Sequence, residues 1–352
     1  MGSIQTKKIR VGLDLQGGGA LGAEQAGMIS ALVLDPRIEI RVITGVSAGL
    51  LNGATVTQIF NEHGFNSASR RLVGEMLINM WLHQIGLNDF TAANIQHAQD
   101  GMDMVEQSIR AAKDFGRAAN VPFMHLITAP AELSQAMIIE QRKALYNHVF
   151  KELVRKVVTN SEALKSTKHV SLYGEAVNIK TRQGRIFKPE EMNTDVVLSS
   201  AALPQVFDPV KIDNNFYEDG ACQGGSNAPI EPILDHLHEI DVIIGLATNP
   251  PSVPYRDINP RLLTKADLRD SHDLILSQGL WPLVKLIEQR ERGQNVPVTQ
   301  IIWRRDDSVI YSQKDKLDTS RTFLKSSFLE GFETVRDVMA KYGDTLSSKP
   351  II

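Results

Sequence analysis

Ile40-Arg41-Val42-Ile43-Thr44-Gly45-Val46-Ser47-Ala48-Gly49 is the stretch on which the reading of this chain turns. Its β-branched residues predict a short buried strand, and Leu50 to Ile59 predict a helix directly after it. A strand turning sharply into a helix, with Gly45 and Gly49 where a Cβ would strike the neighbouring chain, has the form of a nucleophile elbow. Ser47 then stands at its tip, and the helix aims free N–H groups and a positive dipole end at charge developing nearby. The G-x-S-x-G string is weak by itself, because composition yields roughly 0.1 chance matches in a chain this long. An ordinary strand-to-helix turn is the plain alternative.

Upstream, Ile9 to Leu15 predicts a first strand, covered on both faces, followed at once by Gln16-Gly17-Gly18-Gly19-Ala20-Leu21-Gly22. Ala23 to Leu34 carries apolar residues at helical spacing and stops at Asp35-Pro36. The order strand, glycine loop, helix, strand, elbow, helix predicts an α/β layout with parallel strands. Two mechanisms compete for the glycine loop. Gly17-x-Gly19-x-x-Gly22 is literally a dinucleotide fingerprint, which would make the chain a nucleotide-dependent oxidoreductase binding NAD(P). That reading needs an acid at the end of the second strand, whereas Asp35 and Glu39 precede or open it. The other mechanism is an oxyanion hole, in which glycine N–H groups at a helix start await a developing alkoxide beside Ser47.

Further along, 60–168 reads as mostly helical. Val73, Met76, Leu77, Met80 and Trp81 make an apolar stripe within 72–87, either core-facing or suited to a lid or membrane surface. Helices are also expected over 100–117 and 132–158, with a loop or short strand at 121–130. Strand character resumes over 169–178, with a turn at Gly184. A small-residue helix follows from Val196, closed by Pro204, and a hairpin of 210–213 with 215–217 delivers Glu218-Asp219-Gly220-Ala221. A buried strand is expected over 241–247, a helical region from about 260 to 292, a last strand over 299–303 and a closing helix over 322–342.

The four segments Gly17-Gly18-Gly19-Ala20-Leu21-Gly22, Gly45-Val46-Ser47-Ala48-Gly49, Ser199 to Pro209 and Asp219-Gly220-Ala221 occur in the order and approximate spacing of the patatin-like phospholipases. The chain resembles that family directly over 9–250, most weakly between 60 and 168, and beyond 247 it is similar to bacterial members with a helical extension. The resemblance implies a three-layer α/β fold with a central, mostly parallel sheet flanked by helices. It implies an acyl hydrolase core over 9–250, with 60–168 as its helical variable part, and a mainly helical extension over 251–345 packed on that core. It further implies a Ser–Asp dyad: Ser47 as nucleophile, Asp219 as general base, and N–H groups of Gly17, Gly18, Gly19 and Ala20 as oxyanion donors, with Gly22, Gly45, Gly49, Gly220 and Ala221 shaping the turns. The substrate expected is a phospholipid or another acyl-ester lipid, with no cofactor and no metal.

Leu21 departs from the family pattern, where Arg or Lys is common, and it cannot donate to a phosphate. A Ser-Asp-His triad with His236, His238 or His272 as base is the rival within hydrolases, although the first two look like helix-end surface residues. A non-catalytic lipid-binding or regulatory protein of the same fold is a further alternative. Residues 72–87 and 274–287, with Trp81 and Trp281, are candidates for an acyl channel or membrane contact.

The 352 residues carry 42% hydrophobic side chains, a net charge of −3 and no basic stripe, which argues against nucleic-acid binding. The single cysteine, Cys222, excludes an internal disulfide, is expected as a packed side chain, and fits a cytoplasmic setting with membrane contact confined to the surface. Met1-Gly2-Ser3-Ile4-Gln5-Thr6 meets the loose myristoylation pattern and equally an expression-tag start.

Overall fold

The computed structural model describes residues 7–87, 147–204, 206–248, 281–302 and 315–348. The Met1–Thr6 pattern, His272, and the expectations for 100–117, 121–130, 132–146, 249–280 and Trp303 lie outside those residues.

Strand β1 (Ile9–Leu15) leads through a 3-10 turn (Gly19–Leu21) into helix α1 (Gly22–Leu34). Strand β2 (Ile38–Gly45) then leads through the elbow into α2 (Ala48–His63). Helix α3 (Ser67–Ile78) starts where Asn66 Oδ1 accepts from the amides of Ala68 and Ser69, at 2.9 and 3.0 Å. It then widens into a π-helical turn, Asn79–Ile85. After α4 (147–157) and α5 (Ser161–Lys165) come β3 (Ser171–Asn178), β4 (Gln183–Phe187) and α6 (Thr194–Ser200). The hairpin β5 (Val210–Ile212) and β6 (Asn215–Asp219) follows, then α7 (Glu231–Asp235) and β7 (Val242–Leu246). Helix α8 (Trp281–Glu291), β8 (Val298–Ile302) and α9 (Arg321–Tyr342) close the described chain.

All eight strands share one sheet, ordered β5-β6-β3-β2-β1-β7-β8 with β4 paired to β3. The run from β3 through β2, β1 and β7 to β8 is parallel, as the alternation of strands and helices predicts. Val11, Leu13 and Leu15 face a large core shared with α1, α2, α3 and α9, while Val42 and Ile243 face a smaller one with Ile233, Ile240 and Leu283. Helices thus cover both faces, which makes three layers. In the larger core α1 and α9 touch backbone to backbone. A Cβ on Gly27 would meet the Phe328 carbonyl, and one on Gly331 would meet the Glu24 carbonyl. Among the described residues no helix is long and apolar enough to cross a membrane.

Two local expectations change. Gly184 lies inside β4, and the turn falls just before it, with Arg182 at φ 57°. Helix α6 stops at Ser200 instead of running to Pro204, because the Ala202 carbonyl is taken by the Asp219 amide at 3.1 Å. The stripe over 72–87 follows the core-facing one of its two readings: Val73, Leu77, Met80 and Trp81 are buried and join the core.

Asp14 is a buried acid on the smaller-core face of β1. Its Oδ1 accepts the Thr44 hydroxyl at 2.7 Å, and its Oδ2 has no hydrogen-bond partner among the described residues. Burial pushes its carboxyl up to about 7, with the Thr44 bond opposing and Glu231 and Glu175 adding to the shift. An acid whose folded value lies above its unfolded value of about 3.9 lends stability at low pH and loses it as pH rises toward 7. Replacing Asp14 by Asn removes that loss. Denaturant titrations should show Asp14→Asn gaining on wild type by up to a few kcal/mol between pH 5 and pH 8; a gap that stays constant with pH would contradict this.

Candidate active site

The site forms where two strands meet end to end on one edge of β3. Strand β2 runs parallel to β3 until Gly45 pairs with Gly174. Strand β6 comes from the other direction, antiparallel, until Asp219 pairs with Ala176. Strand β4 occupies the opposite edge of β3 at both Gly174 and Ala176, so β2 and β6 share the remaining edge. Only Glu175 separates their partners, and the chain ends carrying Ser47 and Asp219 face each other across that gap.

Ser47 sits at φ 53° and ψ −123°, a strained conformation for a residue with a Cβ, and it caps α2. Such a turn works only if the chain can fold tightly against β1. Gly49 permits this, because any Cβ there would strike the Leu15 carbonyl. The Ser47 amide donates to Ser200 Oγ at 3.0 Å, and its side chain is half-buried.

Asp219 is buried at 2% exposure, so its carboxyl is cut off from water. Its Oδ1 accepts the Ala221 amide at 2.8 Å, and the Ser47 hydroxyl lies near enough to favour its ionised form. Burial raises its pKa to about 6; the Ala221 amide and the Ser47 hydroxyl pull the other way, while Glu218 and Glu175 add to the rise. The group is therefore mostly ionised at neutral pH and close enough to that range to take and return a proton.

The glycine loop leaves β1 next to the elbow: Leu15 pairs with Gly45, and a Cβ on Gly17 would come within 3.2 Å of Ser47 Cβ. Gly17 donates its own amide to Asn227 Oδ1 at 3.1 Å. The amides of Gly18, Gly19 and Ala20 have no acceptor among the described residues. Gly19 holds φ 58°, and the Lys316 carbonyl fills the space a side chain would need. Leu21 is fully buried.

A buried polar chain braces this loop. Trp81 Nε1–H donates to Asn52 Oδ1 at 2.8 Å. Asn52 Nδ2 donates to the Gly22 carbonyl at 2.9 Å and to Gln25 Oε1 at 3.1 Å. Gln25 Nε2 in turn donates to the carbonyls of Gln16 and Leu246, at 3.0 and 2.9 Å. Thr248 adds its hydroxyl to the Gly17 carbonyl at 2.7 Å. Sequence reading missed Asn52, Gln25, Asn227 and Thr248. Polar residues on buried helix faces were the available signal for the first two, since such groups must find partners. Nothing local marks the others.

His236 and His238 have other partners. His236 Nε2 is 2.9 Å from the Tyr173 hydroxyl and its Nδ1 is 3.4 Å from Glu239, while His238 is exposed beside Glu239. Burial pushes the Cys222 thiol up to about 12, which suits a packed side chain and not a nucleophile. Among the described residues no group of His, Cys, Asp or Glu is arranged to hold a metal ion.

Fold and motif order place the molecule in the class of lipid acyl hydrolases. The model of patatin-like phospholipases matches residues 13–234, so the chain belongs to the patatin-like phospholipase family. Among curated proteins no sequence matches it. Among solved structures, VipD from Legionella pneumophila is similar over 98% of this chain and 72% of its own, at 12% identity and a TM-score of 0.41. The type III effector protein ExoU is similar over 95% of this chain and 53% of its own, at 14% identity and a TM-score of 0.29.

Trp81 is held here as a brace, with its indole N–H committed to Asn52. Trp81→Phe leaves the buried Asn52 oxygen unpaired and should cost about 1–3 kcal/mol of stability. Binding to phospholipid vesicles should be unchanged; weaker vesicle binding with an unaltered melting temperature would return Trp81 to the membrane surface.

Proposed function

We propose that this protein hydrolyses carboxylic esters of lipids through an acyl-enzyme on Ser47, with Asp219 as general base. The observation that carries the proposal is the strand register on β3, which brings the ends of β2 and β6, and with them Ser47 and the buried Asp219, to within one residue of each other beside a loop whose amides have no acceptor among the described residues. As Ser47 Oγ attacks the ester carbonyl, its proton passes to Asp219 and the carbonyl oxygen becomes an oxyanion. The amides of Gly18, Gly19 and Ala20 stabilise that charge, and such donors typically contribute about 10²–10³ in rate each. Gly17 shapes the loop in this scheme and does not donate, because its amide is held by Asn227. Collapse of the intermediate expels the alkoxide, which takes the proton back from Asp219. Water then enters, gives a proton to Asp219 and attacks the acyl carbon; collapse of this second intermediate releases the carboxylic acid and expels Ser47 Oγ, which takes the proton back from Asp219.

A carboxylate can replace histidine here for a physical reason. Burial lifts its affinity for protons, while the Ala221 amide and the nearby Ser47 hydroxyl favour its ionised form, so the proton transfer is nearly balanced. The substrate class we assign is a phospholipid or neutral acyl-ester lipid, presented at a membrane or micelle surface. Buried Leu21 leaves no cation at its own position to select a phosphate.

The test is covalent labelling by a fluorophosphonate together with ester turnover. Labelling should vanish in Ser47→Ala, and Asp219→Asn should lower turnover by at least about 10²–10⁴. His236→Ala and His238→Ala should keep most activity. The base must be ionised to work, so kcat/KM should fall as pH drops through about 6. Labelling that survives in Ser47→Ala, or full turnover in Asp219→Asn, would refute the assignment.

A further inference from the structure

Ser199 and Ser200 end α6 side by side, both with 0% exposure, yet their hydroxyls go to different places. Ser199 Oγ donates back to the Val196 carbonyl at 2.8 Å, within its own helix. Ser200 Oγ donates to the Glu175 carbonyl on β3 at 2.6 Å and accepts the Ser47 amide at 3.0 Å. The backbone of the same short segment reaches the other half of the site. The Ser200 carbonyl accepts the Gly220 amide at 3.3 Å, and the Ala202 carbonyl accepts the Asp219 amide at 3.1 Å. Residues 200–202 therefore strap Ser47 and Asp219 to each other and to the β3 residue that lies between their strand partners.

We propose that Ser200 is a positioning residue of the acyl-transfer site, acting through the backbone amide of Ser47 to hold the elbow at the geometry that brings Ser47 Oγ to Asp219. This rests on the reading of Ser47 and Asp219 given above. A left-handed conformation at a residue with a Cβ costs about 1–3 kcal/mol and persists only when its surroundings over-determine it. The hydroxyl of Ser200 is one of those determinants, because it satisfies a part-buried amide that a relaxed elbow would aim elsewhere. Removing it leaves the Ser47 N–H and one lone pair of Glu175 O without that partner. The elbow can then relax toward an ordinary φ, and Ser47 Oγ withdraws from the carboxylate. A misplacement of about 1 Å is enough to lower a rate by about 10².

A second consequence is electrostatic. The Ser47 hydroxyl is one of two groups that favour the ionised form of Asp219; the other is the Ala221 amide. Glu218 and Glu175, the carboxylates facing it, act in the opposite sense. Withdrawal of the Ser47 hydroxyl raises the pH at which Asp219 becomes protonated, so the acid limb of the rate profile moves upward.

Ser199 supplies a matched control of the same chemistry, burial and helix. The experiment measures kcat, KM, the pH profile of kcat/KM, fluorophosphonate labelling rate and melting temperature for the full chain and for Ser200→Ala, Ser199→Ala, Ser200→Cys and Ser47→Ala. Ser200→Ala should lower kcat by about 10–10² with KM within about twofold, slow labelling in parallel and shift the acid limb to higher pH. Ser199→Ala should leave all three within about twofold, whatever it does to the melting temperature. Ser200→Cys, with a weaker donor and acceptor of similar size, should fall between wild type and Ser200→Ala, and it serves alone if Ser200→Ala does not fold. Equal kinetics and acid limbs for Ser200→Ala and Ser199→Ala would overturn the proposal, as would a Ser200→Cys enzyme indistinguishable from wild type. Ser47→Ala separates the two levels: full activity there defeats the site assignment itself, whereas its loss alongside an unaffected Ser200→Ala defeats only the role of Ser200.

Discussion

A single edge of β3 has to accommodate the ends of two strands that arrive from opposite directions, and the site depends on that constraint. Backbone pairing spaces successive residues of a strand by about 3.3 Å, so a gap of one residue between the partners of Gly45 and Asp219 leaves room for little beyond a hydrogen bond. Neither β2 nor β6 determines this alone. β3 is the ruler against which both are set, and the other groups at the site hold that arrangement in place.

The cost of the arrangement is electrostatic and conformational. Asp219 is buried, with Glu175 and Glu218 among the groups that raise its pKa, and Ser47 adopts a conformation most residues avoid. Neighbouring polar groups offset these costs. Ser226 donates its amide and hydroxyl to the Glu175 carboxylate at 3.0 and 2.5 Å, and Arg182 pairs with Glu218 at 2.8 Å, so charge around Asp219 is partly compensated. The braced glycine loop shows the same economy. Trp81, Asn52 and Gln25 pass hydrogen bonds from one to the next until backbone carbonyls at the ends of β1 and β7 are reached. A buried network of this kind is stabilising only when its members are satisfied, which is why changing one member should be felt at the loop.

The C-terminal residues take part in the same structure. Strand β8 extends the parallel sheet beside β7, α9 lies against α1 at Gly27 and Gly331, and the Lys316 carbonyl sits beneath Gly19. Helix α1 begins at the glycine loop, so packing against α9 bears on the position of the open amides.

The elements with strong periodicity were legible from the residues: β1, α1, β2, β7 and α9 begin and end within a residue or two of their expected limits, because burial on one or both faces leaves a pattern in the chain itself. The turns at Ser47 and Asp219 were legible for a related reason, since sharp turns demand small residues around them and so leave short strings such as Gly45 to Gly49 and Asp219-Gly220-Ala221. The end of α6 and the turn before β4 were misplaced, because each is decided by a distant partner: the Asp219 amide in one case and the β3 edge in the other. What the amino-acid order determined by itself is the set of elements, their layering and the turns at Ser47 and Asp219. Tertiary structure alone decided that Ser200 binds outward while Ser199 binds back, that Gly17 gives its amide to Asn227, and that Trp81 points inward. Hydrogen bonds between residues far apart in the chain carry no periodicity, and identical neighbours acquire different roles only when folding brings a partner to one of them.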